Sequence, residues 1–157
     1  MMLQVVGKRV FEVDTSNVSI ESATLSVTMD GGVIWQRDVA GWCPVCYGAN
    51  GDDFYIWTAR NVTVFLADGR PPLEINIDDD DIRFVFRHGD YWIVVCEITV
   101  RLMFGDREID RINPPDVVTS CHWVGDELNV TIWGGLLMTA KVTGDHFETT
   151  FTTHRPE

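Results

Sequence analysis

The sequence predicts an all-β protein built from four similar units. Almost the whole chain consists of short runs of apolar, β-branched and aromatic residues, separated by turns rich in Gly, Asp, Asn and Pro. This pattern is typical of antiparallel strands. One kind of run recurs four times at nearly constant spacing, and no segment has the apolar spacing of an amphipathic helix. With 157 residues and 45% hydrophobic content, the chain can fill one core without disulfides.

The repeat is clearest in the run that follows each polar turn. Its four copies begin at Val18, Phe54, Tyr91 and Leu128, which lie 36, 37 and 37 residues apart. A strand precedes each copy, and two more strands follow it. We therefore predict one domain over residues 1–157, with units at about 9–39, 43–77, 82–112 and 117–151.

Each unit is predicted to contain four strands in the same order. The first strands are Arg9–Val13, Cys43–Tyr47, Ile82–Arg87 and Val117–Trp123. After the recurring run, the third strands are Leu25–Met29, Val62–Ala67, Thr99–Phe104 and Leu136–Val142. The fourth strands are Val33–Val39, Leu73–Ile77, Glu108–Ile112 and His146–Phe151. The turn before each fourth strand contains Gly and Asp, which supply the backbone geometries that tight hairpins need.

Four-stranded units joined in series are typical of a β-propeller. The units resemble short WD40-type repeats over roughly residues 9–151, most clearly in Val117-Val-Thr-Ser-Cys-His-Trp-Val-Gly-Asp-Glu-Leu and in Ile82-Arg-Phe-Val-Phe-Arg-His-Gly-Asp-Tyr-Trp. The Trp-Asp and Gly-His pairs of that family are absent. The resemblance implies a platform for protein interaction. A β-sandwich and an open stack of sheets remain alternatives, because the strands of the outer units are apolar on one face only.

Charge narrows the classes of partner. The net charge of −12 argues against nucleic acid and anionic membranes as partners, and it permits a basic protein, a metal ion or no partner. The N-terminal residues have no apolar run typical of a signal peptide, and no segment approaches the length of a membrane span. We therefore expect an intracellular, cytoplasmic protein that needs no cofactor.

The run Asp78-Asp79-Asp80-Asp81 interrupts the repeat and is the main candidate binding site. In a propeller, loops between units share a face with the turns between second and third strands. The carboxylates expected on that face are Asp38, Asp78, Asp79, Asp80, Asp81, Glu97 and Asp116. We expect this face to contact a basic partner, and we expect replacement of the four adjacent aspartates to leave folding almost unchanged. A solvated loop and a Ca²⁺ site are the alternatives.

The motif Cys43-Pro-Val-Cys46 raises the alternative of a metal site. Zinc sites place two such cysteines on a turn, whereas a strand directs residues three apart to opposite faces. We therefore expect the cysteines to be core residues. In the metal-binding alternative, Cys121 and His122 would complete the ligand set with Cys43 and Cys46.

The acidic run and the cysteine motif leave two classes of function. The first is a non-enzymatic interaction module that presents an acidic face to a basic protein. The alternative is a small metal-dependent hydrolase or metal-binding protein with a carboxylate or Cys/His site. We favour the first because the sequence has no nucleophile-base pair or metal-ligand motif at diagnostic spacing. A homodimer is also expected, with Leu3–Val6 adding to an exposed sheet edge of the last unit or of a second copy.

Overall fold

A computed structural model describes residues 2–19, 21–40 and 45–153, and these residues form sixteen strands and no helix. The first sheet contains β1 (Met2–Val6), β2 (Arg9–Ser16), β3 (Ser22–Met29) and β4 (Gly32–Ala40). The second contains β5 (Cys46–Asn50), β6 (Asp53–Trp57), β7 (Asn61–Phe65) and β8 (Leu73–Asn76). The third contains β9 (Ile82–His88), β10 (Tyr91–Cys96), β11 (Val100–Phe104) and β12 (Arg107–Ile112). The fourth contains β13 (Val118–Val124), β14 (Glu127–Ile132), β15 (Leu136–Thr143) and β16 (His146–Thr153).

The predicted fold class is confirmed. The strands form four separate four-stranded antiparallel sheets, and within each sheet they follow one another in sequence order. A β-sandwich would instead combine the strands into two larger sheets. Sequential antiparallel strands need only short turns, and the Gly and Asp turns of the sequence supply several of the connections within the sheets. No helix in the described residues is long and apolar enough to cross a membrane.

In the first sheet, one predicted strand, the run that begins at Val18, is not found where it was expected. Val18 and Ser19 lie outside any strand, between β2 and β3. Asn17 has a φ of 52°, a left-handed conformation that interrupts an extended chain. The hydroxyl oxygen of Ser19 then accepts a hydrogen bond from the amide of Ser22 at 3.0 Å, which forms a turn stabilised by a serine side chain. Val18 and Ser19 therefore do not begin a strand, although the alternation of apolar and polar residues from Val18 onward resembles one.

The strand missing from that prediction is β1. It pairs with β2 in the same sheet, with Val6 opposite Arg9. The prediction that Leu3–Val6 adds to the last unit was therefore wrong. Because β1 lies at the edge of the first sheet, its addition to a second copy stays a prediction. The connection between β1 and β2 is a two-residue turn in which Gly7 has a φ of 60°, a conformation that glycine adopts at little cost.

Two compact units are defined by the contacts within the chain. Unit 1 comprises Met1–Thr58 and Val64–Pro72, and unit 2 comprises Ala59–Thr63 and Leu73–Glu157. The core of unit 1 is aromatic. Phe11 and Phe54 are completely buried and their ring centroids lie 4.6 Å apart, while the rings of Phe54 and Phe65 are 6.1 Å apart. These rings bury the inner face of the first sheet.

The core of unit 2 is aliphatic. Alternate residues of β14, namely Leu128, Val130 and Ile132, are buried, and the residues between them are partly exposed. They pack in one cluster with residues of β10, β11, β13 and β15. Strand β10 differs because every residue from Trp92 to Cys96 is buried, as expected of a strand covered on both faces. The continuous apolar run in the sequence correctly predicted this internal strand.

Candidate functional site

In unit 2, the connections between sheets lie beside the turns that join second and third strands. The amide of Ile82, at the start of the third sheet, donates to the carbonyl of Ala59 at 2.7 Å. The amide of Val118, at the start of the fourth sheet, donates to the carbonyl of Glu97 at 2.8 Å. The same backbone contact therefore occurs at equivalent positions of successive sheets.

A second backbone contact repeats within each of these sheets. The amide of Glu97 donates to the carbonyl of Asp81, and the amide of Trp133 donates to the carbonyl of Val117, both at 2.8 Å. These bonds hold two acidic connections next to two turns. We call the resulting surface the linker face, and its members are Asp78, Asp79, Asp81, Glu97, Ile98, Asp116 and Trp133.

Asp80 lies in the middle of the acidic run but has little contact with solvent. Its exposed fraction is 6%. One carboxylate oxygen accepts hydrogen bonds from the Thr99 hydroxyl at 2.7 Å and the Ile98 amide at 3.3 Å. The other oxygen accepts from the Asp81 amide at 2.8 Å. Asp80 therefore fixes the connection to the turn after β10, and the expectation that all four aspartates are surface residues is wrong for this one.

Asp79 is held by an arginine that the sequence analysis did not identify. The guanidinium of Arg101 donates to the Asp79 carboxylate at 2.7 Å, and the Arg101 side chain is only 6% exposed. Arg101 also donates through Nε to the Thr99 hydroxyl oxygen at 3.1 Å, and this hydroxyl in turn donates to Asp80. Arg101, Thr99 and the two aspartates thus form one hydrogen-bonded network.

The Arg101 guanidinium, which donates a hydrogen bond to Asp79, holds the pKa of that carboxyl below its usual value. The network therefore stabilises the fold above the unfolded pKa of about 3.9, and this contribution is lost as pH falls through the lower folded pKa. We expect Asp79→Asn to be less stable than the parent at pH 7, and we expect the difference to disappear in strong acid. Urea unfolding of both proteins from pH 7 to pH 2 measures this. A difference that is independent of pH would contradict it.

The remaining carboxylates of the linker face are all at least partly exposed. Asp78 and Asp116 are exposed, and Asp116 accepts a hydrogen bond from the Val117 amide at 2.8 Å. Asp81 lies 3.2 Å from Arg60, and Glu97 lies 3.9 Å from Arg83. Such exposed ion pairs contribute little to stability. Two of these carboxylates are thus paired with arginines. Asp78 and Asp116 add two further negative charges, so this part of the surface remains acidic.

Two apolar side chains project from the linker face. Trp133 is 69% exposed and Ile98 is 50% exposed. Trp133 directly follows the last residue of β14, Ile132, and lies in a turn with Gly134 and Gly135. Gly134 has a φ of 90°. The sequence carried a signal for Trp133, because the two adjacent glycines that follow it are typical of an exposed turn.

Asp38 belongs to unit 1. It lies near the end of β4 and is exposed, and its carboxylate accepts a hydrogen bond from the Thr24 hydroxyl at 2.8 Å. Its membership of the same face as the other carboxylates stays a prediction.

The cysteine site proposed as an alternative is only partly described. Cys43 lies outside the described residues, and Cys46 is half-buried in β5. Cys121 packs against the core of unit 2, and burial raises the pKa of its thiol to about 12. His122, the next residue in β13, is exposed. Within residues 2–19, 21–40 and 45–153, no group of three or more His, Cys, Asp or Glu is arranged to hold a metal ion.

Burial also raises the pKa of the Cys96 thiol, to about 11. Both shifts favour the neutral thiol. The completely buried side chain of Cys96 therefore packs as an apolar group, and the metal-binding alternative for Cys121 stays a prediction.

Comparison with known proteins places the fold but no function. No protein-family model matches the chain, and a search of curated proteins finds no match. Among solved structures, the chain is similar to the AfRom2 CNH domain, with a TM-score of 0.55 and 10% identity over 97% of this chain and 53% of that chain. It also aligns with HIRA(644-1017), with a TM-score of 0.48 and 14% identity over 94% of this chain and 51% of that one.

The first of these similarities identifies a propeller-like all-β fold. The likeness to a propeller that the sequence predicted is thus confirmed at the level of the fold, while no family model supports the finer assignment to WD40-type repeats. The chain spans about half the length of both solved chains.

Proposed function

We propose that the protein is a non-enzymatic interaction domain whose linker face binds a basic segment of another protein. The observation that carries the proposal is the position of Trp133. This side chain is 69% exposed, and its own backbone is hydrogen-bonded to the connection that carries Asp116. An exposed tryptophan held beside carboxylates has the composition of a binding hot spot, in which an aromatic anchor is surrounded by polar groups.

Electrostatics favours a cationic partner. The exposed carboxylates of the linker face act together with the net charge of −12 to attract a positively charged segment and to increase its association rate. On arrival, an arginine or lysine of the partner can stack on the face of Trp133 as a cation–π contact. Ile98 adds an apolar surface for the aliphatic part of such a side chain.

The buried network gives the linker face a defined shape before binding. Asp80 fixes the acidic connection to the turn that carries Ile98, and Arg101 fixes Asp79. A surface that is already ordered loses less conformational entropy on association. Asp79 and Asp80 are therefore positioning groups in this proposal, and Asp78, Asp81, Glu97 and Asp116 contact the partner.

A designed peptide tests the proposal without knowledge of the natural partner. The probe is a fluorescent peptide of alternating arginine and glycine, and its control is the same peptide with citrulline, which has the shape of arginine without its charge. We expect anisotropy titrations to show binding of the arginine peptide only. The affinity should fall as salt is added, because exposed charges are screened beyond about 8 Å at physiological ionic strength.

A variant that lacks four negative charges of the linker face tests where the peptide binds. The variant carries Asp78→Asn, Asp81→Asn, Glu97→Gln and Asp116→Asn, and it is expected to lose at least about tenfold in affinity, equivalent to about 1.4 kcal/mol. The matched control removes the same charge from exposed residues elsewhere in unit 2, by Asp106→Asn, Glu127→Gln, Asp145→Asn and Glu148→Gln. Equal loss of affinity in both variants would show an effect of net charge alone and would refute the proposed site.

The homodimer remains a separate prediction. The proposed face needs only one copy of the chain, so it does not depend on self-association. Sedimentation equilibrium over a range of concentrations measures the oligomeric state directly. A monomer of 17.8 kDa at all concentrations would refute the dimer, and the proposal for the linker face would still stand.

A further inference from the structure

We propose that unit 1 contains a binding site for a small amphipathic carboxylate, with its apolar part in a cavity beside the first sheet and its charge on Arg9. The residues that line the cavity differ from those of the linker face. All of its lining belongs to unit 1, and the proposal does not depend on the function proposed above.

The cavity has a volume of about 310 Å³, within the range of small-molecule sites, roughly 300 to 1,000 Å³. Its wall is mainly apolar. Met29, Ile34, Phe65, Leu66 and the pair Pro71-Pro72 line it, and Arg9, Gly69 and Arg70 complete the lining. This combination of an apolar wall and a few polar groups is typical of pockets that bind small organic ligands.

Two features of the backbone form the wall. The pairing of β3 with β4 changes register between Val27 and Thr28, so that Trp35 and Val33 have partners and Ile34 is the extra residue of a bulge. Bulges redirect a side chain relative to its neighbours, and Ile34 is the residue of this bulge that lines the cavity. Pro71 and Pro72 also line the cavity, and their restricted backbone angles provide a stiff part of its wall.

Arg9 supplies a positive charge at this cavity. Its guanidinium donates to the carbonyl oxygens of Leu66, at 3.3 Å, and of Ala67. Within the described part of the chain, no carboxylate forms an ion pair with it. Asp52 lines a second pocket together with Arg9, while the carboxylates of Asp30 and Asp53 accept hydrogen bonds from the amides of Val10 and Ala67.

Arg70 is in a different situation. It is 71% exposed and forms an ion pair with Asp68. Arg9 is half-buried, and its guanidinium is oriented by two backbone carbonyl oxygens. A guanidinium with unused donors binds a carboxylate through charge-assisted hydrogen bonds. Because Arg9 forms no ion pair among the described residues and Asp68 is paired with the second arginine, the site favours a ligand with a single negative charge over a dianion.

Three eight-carbon probes test this chemistry. Octanoate has one charge, octyl phosphate carries more negative charge near neutral pH, and octanamide has none. Titration of each into the ¹⁵N-labelled full chain, followed by NMR, gives the affinity and the location of binding. We expect octanoate to shift the amides of Met29, Ile34, Phe65 and Leu66 and to bind at least about tenfold more tightly than octanamide, a difference of about 1.4 kcal/mol.

Two substitutions in β4 form a matched pair. Ile34→Asp places a carboxylate in the cavity, and Val33→Asp places the same group on the adjacent residue, which does not line it. Both residues are exposed, by 38% and 64%, so both variants are expected to fold. Arg70→Gln is a third variant, at an exposed position. We expect Ile34→Asp to abolish octanoate binding and Val33→Asp to leave it unchanged.

Several outcomes would overturn the proposal. Octanamide binding as tightly as octanoate would eliminate the role of Arg9, and tighter binding of octyl phosphate would replace the carboxylate with a phosphate ligand. Shifts outside the cavity, no binding by octanoate at millimolar concentration, or equal effects of the two β4 substitutions would refute the site. Retained octanoate binding in Arg70→Gln supports Arg9 as the anchor, whereas complete loss would assign the charge to Arg70 and contradict it.

Discussion

Replacing Asp80 with alanine is expected to lower the free energy of unfolding by about 3 kcal/mol, because one buried and two partly buried donors would lose their acceptor. These donors are the hydroxyl of Thr99 and the amides of Ile98 and Asp81. The Thr99 hydroxyl is also the acceptor for Arg101, so the loss extends to an arginine that is 6% exposed. Urea unfolding followed by tryptophan fluorescence measures the change.

The control for this variant is the neighbouring aspartate. Asp78 is exposed, and Asp78→Ala is therefore expected to change stability by less than about 0.5 kcal/mol. Asp80→Asn should fall between the two, because asparagine retains one oxygen acceptor. Equal stabilities of the Asp78 and Asp80 variants would show that Asp80 is a solvated loop residue and would remove its assigned role.

Trp133→Ala is expected to weaken binding of the arginine peptide by about thirtyfold, or about 2 kcal/mol, the size typical of an aromatic hot spot. The side chain is 69% exposed in the unbound protein, so its loss removes few internal contacts and should leave the melting temperature almost unchanged. The expected signature is a large effect on affinity without an effect on folding. Anisotropy titrations and thermal unfolding of the same preparation measure both quantities.

Phe151 provides the comparison for Trp133. It is also an exposed aromatic residue of unit 2, with 49% exposure, and it lies in β16 outside the linker face. Phe151→Ala should bind the peptide like the parent, and Trp133→Phe should retain part of the affinity because phenylalanine also attracts cations, though less strongly. Loss of binding in the Phe151 variant equal to that in Trp133→Ala would contradict a localised contact at Trp133.

The four aspartates of the acidic run do not have the same role, because Asp80 is buried. Replacing all four adjacent aspartates would combine the loss of a buried network with the loss of surface charge. A decrease in binding by that variant could therefore reflect unfolding. The charge variant that spares Asp79 and Asp80 avoids this confusion, since it alters only carboxylates that are at least partly exposed.

Most of the fold could be predicted from the sequence. The runs beginning at Phe54, Tyr91 and Leu128 correspond to β6, β10 and β14 within one residue at their starts. Alternation of apolar residues and the Gly and Asp turns are local properties, so they can be recognised without knowledge of distant contacts. The error at Val18 has a local cause as well, because the positive φ of Asn17 is not evident from the alternation of the residues that follow it.

The candidate site was less predictable. The acidic run was visible as an interruption of the repeat, but its four aspartates have different environments. Asp80 is bonded to Thr99, which is 19 residues away, and Asp79 is bonded to Arg101, which is 22 residues away. Nothing in the spacing of these residues indicates that Arg101 is buried, since it occurs in an ordinary strand, Val100–Phe104. Trp133 was predictable in principle as a turn residue, because two glycines follow it.

The sequence by itself determined the strand class, the four-part repeat, the position of most turns and the internal character of β10. These properties depend on side-chain alternation and backbone preference over a few residues. Only the tertiary structure decided which carboxylates are bonded to buried donors and which remain exposed. It also decided that Arg9 borders an apolar cavity. The physical reason is that solvation and charge pairing depend on distances between residues remote in sequence, and these distances are set when the sheets pack.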